Sequence, residues 1–281
     1  MNVFIPDSRI DAFISEDMPY IDLTTEVLGI GDEQGAIEFF TREECMLCGS
    51  EEAARVLEHA GARIAQMERS GKRLAAGDVF LRAEGTAAAL HRAWKVSLNL
   101  CDHLSAVATK TRGIVDAAHA ENPHCEVLTT RKSMPGAKDL LTKAVTTGGA
   151  FPHRLGGSET VLVFEQHLAF MGGLDAFLEK LPELRSKCIE KKLFVEAGAD
   201  DARRLAKAGV DGIQLDKLPP EEAKPLVAEL RGIDPHLTII AAGGINLENA
   251  GSYAACGVDG LATTAPFTAK PIDMSARMAR A

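Results

Sequence analysis

The sequence predicts an α/β protein in which a small N-terminal α/β layer precedes a barrel-like domain built on a parallel sheet. Two observations carry this. From about Cys125 onward, short apolar runs alternate with helical patterns at the pace of βαβ units. Before about residue 113, apolar alternation bounded by glycine marks the strands of a smaller layer. Near-copies of one device strengthen the first point. In "AKAGVDGIQLD" and "AACGVDGLATT" a helix ends at glycine, turns tightly and enters a buried strand.

Taken in order, Ser8 to Glu16 reads as a helix. "GAIEFFT" and "GDVFLRAEG" read as strands, with a helix at "EEAARVLEHAG" between them. "AAALHRAWKVSLNLCDHLSAVATKTRGIVDAAHA" follows as one long helix or two. The later strands are "CEVLTT", "ETVLVF", "KLFVEA", "DGIQLD", "LTIIAAGG" and "VDGLATT". Between them lie helical patterns such as "GAKDLLTKAVTTGG", "ADDARRLAKAG" and "NLENAGSYAACG". Six units fall short of a full eight-stranded barrel, so the barrel is incomplete or a strand hides elsewhere, with "FPHRLGG" the candidate. An open doubly wound sheet is the alternative, but the chain has no glycine-rich dinucleotide fingerprint.

A chain of 281 residues with 46% hydrophobic and 25% charged residues can bury a substantial core. Its net charge of −9 argues against a broad nucleic-acid surface and leaves room for a local cationic pocket. No apolar run reaches the roughly 18 residues of a membrane span, and the start lacks a signal-peptide pattern. A cytoplasmic enzyme is the plain expectation. The six cysteines read as reduced thiols. "CMLC" has the spacing of half a zinc site, but no second pair completes it.

Active sites of such sheets form where the carboxyl ends of the strands meet the following loops. "TTRKSMPG" brings Arg131 and Lys132 there, "FPHRLGG" brings His153 and Arg154, and "VLVFEQH" brings Glu165, Gln166 and His167. Glu196 follows in "FVEAGA", Asp216 and Lys217 in "IQLDKL", Gly243 and Gly244 in "AAGGIN", and Thr263 and Thr264 in "LATT". Singly, each has a bland role as a loop charge, helix cap or core histidine. Together they describe an anion site. Arg and Lys match carboxylate and phosphate oxygens, and "GGIN", read as opening a helix, suits a phosphate. Two carboxylates on adjacent strand ends suit Mg²⁺ or vicinal hydroxyls.

These residues carry a resemblance to the quinolinate phosphoribosyltransferase (nicotinate-nucleotide pyrophosphorylase) family over nearly the whole chain. The motifs are "DLTTE", "TREECMLCG", "LNLCDHLSAVATKT", "TTRKSMPG", "GGAFPHR", "GIQLDK" and "AAGGINLENAGSYAACGVDGLAT". The nearest likeness is to its ModD branch, found in molybdate-transport operons. The resemblance implies an N-terminal α/β sandwich (1–112, with 266–281 packing back on it) and an incomplete α/β barrel (113–265) of the type II phosphoribosyltransferase kind. It implies a homodimer or larger assembly with shared active sites. The implied reaction is Mg²⁺-dependent transfer of ribose 5-phosphate from phosphoribosyl pyrophosphate to a small aromatic acid, with no nucleic acid or membrane involved.

By motif, Arg131, His153 and Arg154 would bind the acid, with Phe164 and His167 beside them. Lys132 would meet pyrophosphate or phosphoribosyl groups. Glu196 and Asp216 would address the ribose and its metal, while Gly243, Gly244, Thr263 and Thr264 would hold the 5-phosphate. Lys95, in "WKVSLN", stands where the family's arginine reaches across the dimer, and Phe164 stands where quinolinate enzymes carry lysine. Near Gly198 the family has a second acid, and "TTRK" has threonine where aspartate is usual. Losing one charge-assisted contact is worth about 1.5–3 kcal/mol, so an acceptor with fewer carboxylates or a larger flat ring is expected, stacked on Phe164. Two other readings compete: a non-catalytic binder of an oxyanion or cofactor precursor linked to molybdate transport, and an aldolase-like barrel with Lys217 as a Schiff base. Acids beside Lys217 argue against the second.

Overall fold

A computed structural model describes residues 3–281. The chain divides into two compact units. The first holds the chain up to Arg112 together with Met134–Gly148 and Pro266–Ala281. The second holds Gly113–Ser133 and Gly149–Ala265.

The chain enters the first unit through α1 (Asp7–Asp17) and α2 (Leu23–Leu28). After them come β1 (Gln34–Thr41), β2 (Cys45–Met46), α3 (Ser50–His59), β3 (Arg63–Met67), β4 (Arg73–Leu74) and β5 (Val79–Thr86). In β1 the alternation of "GAIEFFT" buries Ile37 and Phe39 fully, opposite Ala83 and Leu81 of antiparallel β5. The predicted long helix is one element, α4 (Ala87–Glu121), without a break.

Beyond it the chain forms β6 (Glu126–Thr129), α5 (Lys138–Thr147), β7 (Phe151–Pro152), β8 (Val161–Val163), α6 (Glu165–Met171), α7 (Leu174–Ser186) and β9 (Leu193–Ala197). Next are α8 (Ala199–Ala208), β10 (Gly212–Asp216), α9 (Pro220–Ile233), β11 (Thr238–Ala242), α10 (Ala250–Ala254) and β12 (Gly260–Thr263). The last strand, β13 (Met274–Arg280), returns to the first unit. It pairs with β1 to give a four-stranded antiparallel sheet in the order β13-β1-β5-β3.

The second unit holds seven parallel strands in the order β7-β6-β12-β11-β10-β9-β8. This is the incomplete barrel, and the extra strand is the two-residue β7 of "FPHRLGG". One helix departs from the expected division. The sequence assigns all of 113–265 to the barrel, yet α5 belongs with the first unit. Its buried Lys143 pairs with Glu51 and Glu52 of α3, and Asp139 pairs with Arg9 of α1. Among the described residues no helix is long and apolar enough to cross a membrane.

Candidate active site

Parallel register builds the site from below. Leu162 lies beside Phe194, Gln214 beside Glu196 and Ile240, and Ala242 beside Asp216 and Ala262; Ala262 in turn lies beside Leu128. Leu162, Phe194, Ile240, Ala242 and Ala262 form a buried apolar cluster, with Leu128 and Phe164 packed against it. A strand's period of two puts the second residue after each of these on the same face, nearer the carboxyl end. Glu196 follows Phe194, Phe164 follows Leu162, Thr130 follows Leu128, Thr264 follows Ala262, and Asp216 follows Gln214. One face of the sheet is thus apolar at its floor and polar at its mouth.

The two acids sit on adjacent strands. Glu196 accepts a hydrogen bond from the buried Gln214 side-chain amide. Burial raises its carboxyl above the ordinary glutamate value, and the nearby Asp216 charge raises it further; Lys132 and Lys217 pull the other way. Lys217 holds a positive φ of 55°, donates its N–H to the Ala242 carbonyl at 2.8 Å, and brings its ammonium to 3.5 Å from Asp216. Among the described residues no group of three or more His, Cys, Asp and Glu could hold a metal. Two carboxylates fit Mg²⁺ nonetheless, because that ion commonly takes one or two protein carboxylates and completes its shell with water and substrate phosphate.

On the other flank, the His153 backbone N–H donates to the Thr129 carbonyl, and its ring meets the Phe194 edge at 6.4 Å. Burial, then Arg154, holds His153 below the ordinary imidazole value, so the ring favours its neutral form. Arg154 donates to the Thr160 carbonyl at 3.2 Å and lies 5.9 Å above the Phe164 ring centre. Its charge is disfavoured by burial and by Arg131 and supported by Glu159. Arg131 and Lys132 are exposed on the loop after β6.

The stretch "VLVFEQHLAF" is not a strand with polar interruptions. The strand is only three residues long, Phe164 caps α6, and Glu165, Gln166 and His167 form that helix's exposed first turn. His167 Nδ1 accepts the Phe164 N–H at 3.0 Å and its ring stacks on Phe164 at 5.8 Å. It therefore fixes Phe164.

The glycine pair also differs from expectation. "GGIN" does not open a helix, because α10 starts only at Ala250. Gly243 and Gly244 instead take positive φ values of 92° and 74° in a turn. A Cβ at Gly243 would meet Lys217 Cγ at 2.5 Å and Asp216 Oδ1 at 3.1 Å, whereas one at Gly244 would meet nothing within 4 Å. Asn249 and Asn246 tie the turn by donating to the Gly244 carbonyl. Thr263 is buried, donating to the Ile245 carbonyl and accepting the Ala265 N–H, so its hydroxyl shapes the loop. Thr264 shares a 2.7 Å hydrogen bond with Thr130.

Sequence reasoning missed Gln214 and Thr130. The alternation in "GIQLD" was the available signal, since it puts Gln214 on the face of Asp216. Lys95 lies in the first unit, exposed on α4, with its ammonium 4.3 Å over the Trp94 ring. The cysteines are all free, and five of the six are buried.

Family models decide the affiliation. Quinolinate phosphoribosyl transferase, N-terminal domain, matches residues 22–105, and its C-terminal domain matches residues 107–277. The chain belongs to the quinolinate phosphoribosyltransferase family. A Rhodobacter capsulatus protein named "Putative pyrophosphorylase ModD" is 42% identical over 247 residues, covering 88% of this chain and 95% of the relative. Its namesake in Escherichia coli O127:H6 is 34% identical over 273 residues, covering 97% and 96%. This family member is therefore ModD-like. In fold it matches the crystal structure of NadC from Streptococcus pyogenes, with a TM-score of 0.90 at 24% identity over all of both chains.

Proposed function

We propose that this phosphoribosyltransferase-family protein transfers ribose 5-phosphate from phosphoribosyl pyrophosphate to the ring nitrogen of an aromatic, carboxylated acceptor, releasing pyrophosphate. The observation that carries the proposal is the Glu196–Asp216 pair on neighbouring strands of one face, flanked by lysines and arginines.

Arg131, His153 and Arg154 then bind the acceptor against the wall made by Phe164 and His167. Lys132 meets the pyrophosphate, and the Gly243–Gly244 turn with Thr264 receives the 5-phosphate while Thr263 sets the loop. Lys95 enters from a second copy in a homodimer. Mg²⁺ held by Glu196 and Asp216, directly or through water, would offset the charge gathering on the pyrophosphate. As the C1–oxygen bond breaks, positive charge grows on the ribose, and the two carboxylates, held in place by strand pairing and Gln214, stabilise it. The acceptor nitrogen forms the new bond with its own lone pair. No covalent protein nucleophile is required, and alignment of the reactants supplies much of the rate.

An oxyanion-binding role gains nothing from two carboxylates beside the ligand, because they repel it. The test is pyrophosphate release from phosphoribosyl pyrophosphate with Mg²⁺ and a panel of pyridine carboxylates. Release that Glu196→Gln lowers on the order of a hundredfold is expected. No release with any acceptor, accompanied by molybdate binding, would remove the transferase reading.

A further inference from the structure

Within this transferase reading, on which the inference rests, the cations divide into two groups. Lys217 stands 3.5 Å from Asp216, and Lys132 acts on Glu196, so both belong to the donor half of the mouth. Arg131 and Arg154 remain for the acceptor.

Arg154 is partly committed. One of its N–H groups goes to the Thr160 carbonyl, its guanidinium carbon lies over the Phe164 ring, and the Glu159 charge favours its protonated form. Glu159 is itself fixed by the Leu155 N–H. Burial and Arg154 keep the His153 ring from adding a charge. That leaves two guanidiniums for the acceptor, one of them already bonded to the Thr160 carbonyl and lying over the Phe164 ring. The remaining lining is aromatic: Phe164, already paired with His167, and Phe194 beneath His153.

We propose that the acceptor is a flat pyridine-type ring carrying one carboxylate, and that its transfer releases pyrophosphate without CO₂. One carboxylate matches the Arg131–Arg154 corner, where planar guanidinium donors suit it. A second would lie against Phe164 or Phe194 without a donor, and an unpaired carboxylate in an apolar wall is strongly disfavoured. The bonds balance simply. The C1–oxygen bond breaks with its electron pair leaving on pyrophosphate, and the pyridine lone pair makes the nitrogen–C1 bond. A pyridine nitrogen has no proton to lose, so no general base is needed. With no carboxylate next to the new bond, there is none to expel.

The experiment offers the wild type pyridine-3-carboxylate and pyridine-2,3-dicarboxylate with phosphoribosyl pyrophosphate and Mg²⁺, following pyrophosphate and trapped CO₂. The expected result is a kcat/KM about tenfold or more higher for the monocarboxylate, with no CO₂. Phe164→Lys should narrow or invert that ratio. Preference for the dicarboxylate with CO₂ release overturns the inference and leaves the transferase reading standing. So does donor binding without turnover of either acid. Absence of donor binding would instead remove the transferase reading. The wild-type ratio decides the matter even if the lysine variant folds poorly.

Discussion

Gly243 and Gly244 are adjacent, both at positive φ, and their surroundings separate two costs. Alanine at Gly244 would meet no atom within 4 Å, so its expense is conformational, about 1–2 kcal/mol. Alanine at Gly243 bears that cost and also overlaps Lys217 Cγ at 2.5 Å and Lys217 N at 2.8 Å, with Asp216 Oδ1 at 3.1 Å. The Lys217 N–H is bonded to Ala242, so the backbone there cannot yield cheaply. Overpacking of this kind adds about 1–3 kcal/mol, for a total near 2–5 kcal/mol. Urea denaturation of both variants measures the difference. Gly243→Ala should be the less stable by at least about 1 kcal/mol and should also weaken donor binding, because Asp216 must shift. Equal stabilities within about 0.5 kcal/mol would refute the argument from the close approach.

Three other outcomes follow from the charges. Lys143 is 11% exposed and pairs at 2.8 Å with Glu51 and also with Glu52, which is 5% exposed. Lys143→Met should therefore cost about 3–5 kcal/mol in denaturation, and neutralising both acids as well should recover most of it. Glu196 is raised by burial and by Asp216, so NMR titration of its carboxyl should show a midpoint above the ordinary glutamate value that moves down in Asp216→Asn. Burial lifts Asp102 from 3.8 to about 6, and its Oδ1 has no hydrogen-bond partner among the described residues. A raised folded value means that its contribution is complete below about pH 3.8 and lost as pH rises through 6. The stability of Asp102→Asn relative to wild type should thus increase from pH 4 to pH 7, by about 1–2 kcal/mol after screening of a partly exposed group.

Strands β9 to β12 were legible because each is a buried run bounded by turn residues, and their order along the chain already brought Glu196 and Asp216 to one end. What escaped was junction chemistry. In "VLVFEQHLAF" a three-residue strand passes into a helix at once, and so short a strand leaves no period to read. "GGIN" resembles a helix start by composition, but two positive φ angles turn the chain before α10 can begin. The assignment of α5 was out of reach for another reason. Its partners Glu51 and Glu52 lie more than ninety residues earlier, and local pattern carries no record of so distant a pairing. Gln214 is readable from the pattern, since a polar residue two before Asp216 in a buried strand needs a partner, and Glu196 is that partner.

The central claim is that the Glu196–Asp216 face is a phosphoribosyl pyrophosphate site. Isothermal titration calorimetry of that donor with and without Mg²⁺, on the wild type and on Asp216→Ala, tests it most directly. Metal-dependent binding in the micromolar range that the substitution abolishes is the expected result. Absence of donor heat in the wild type, with binding of molybdate or another oxyanion in its place, would contradict it.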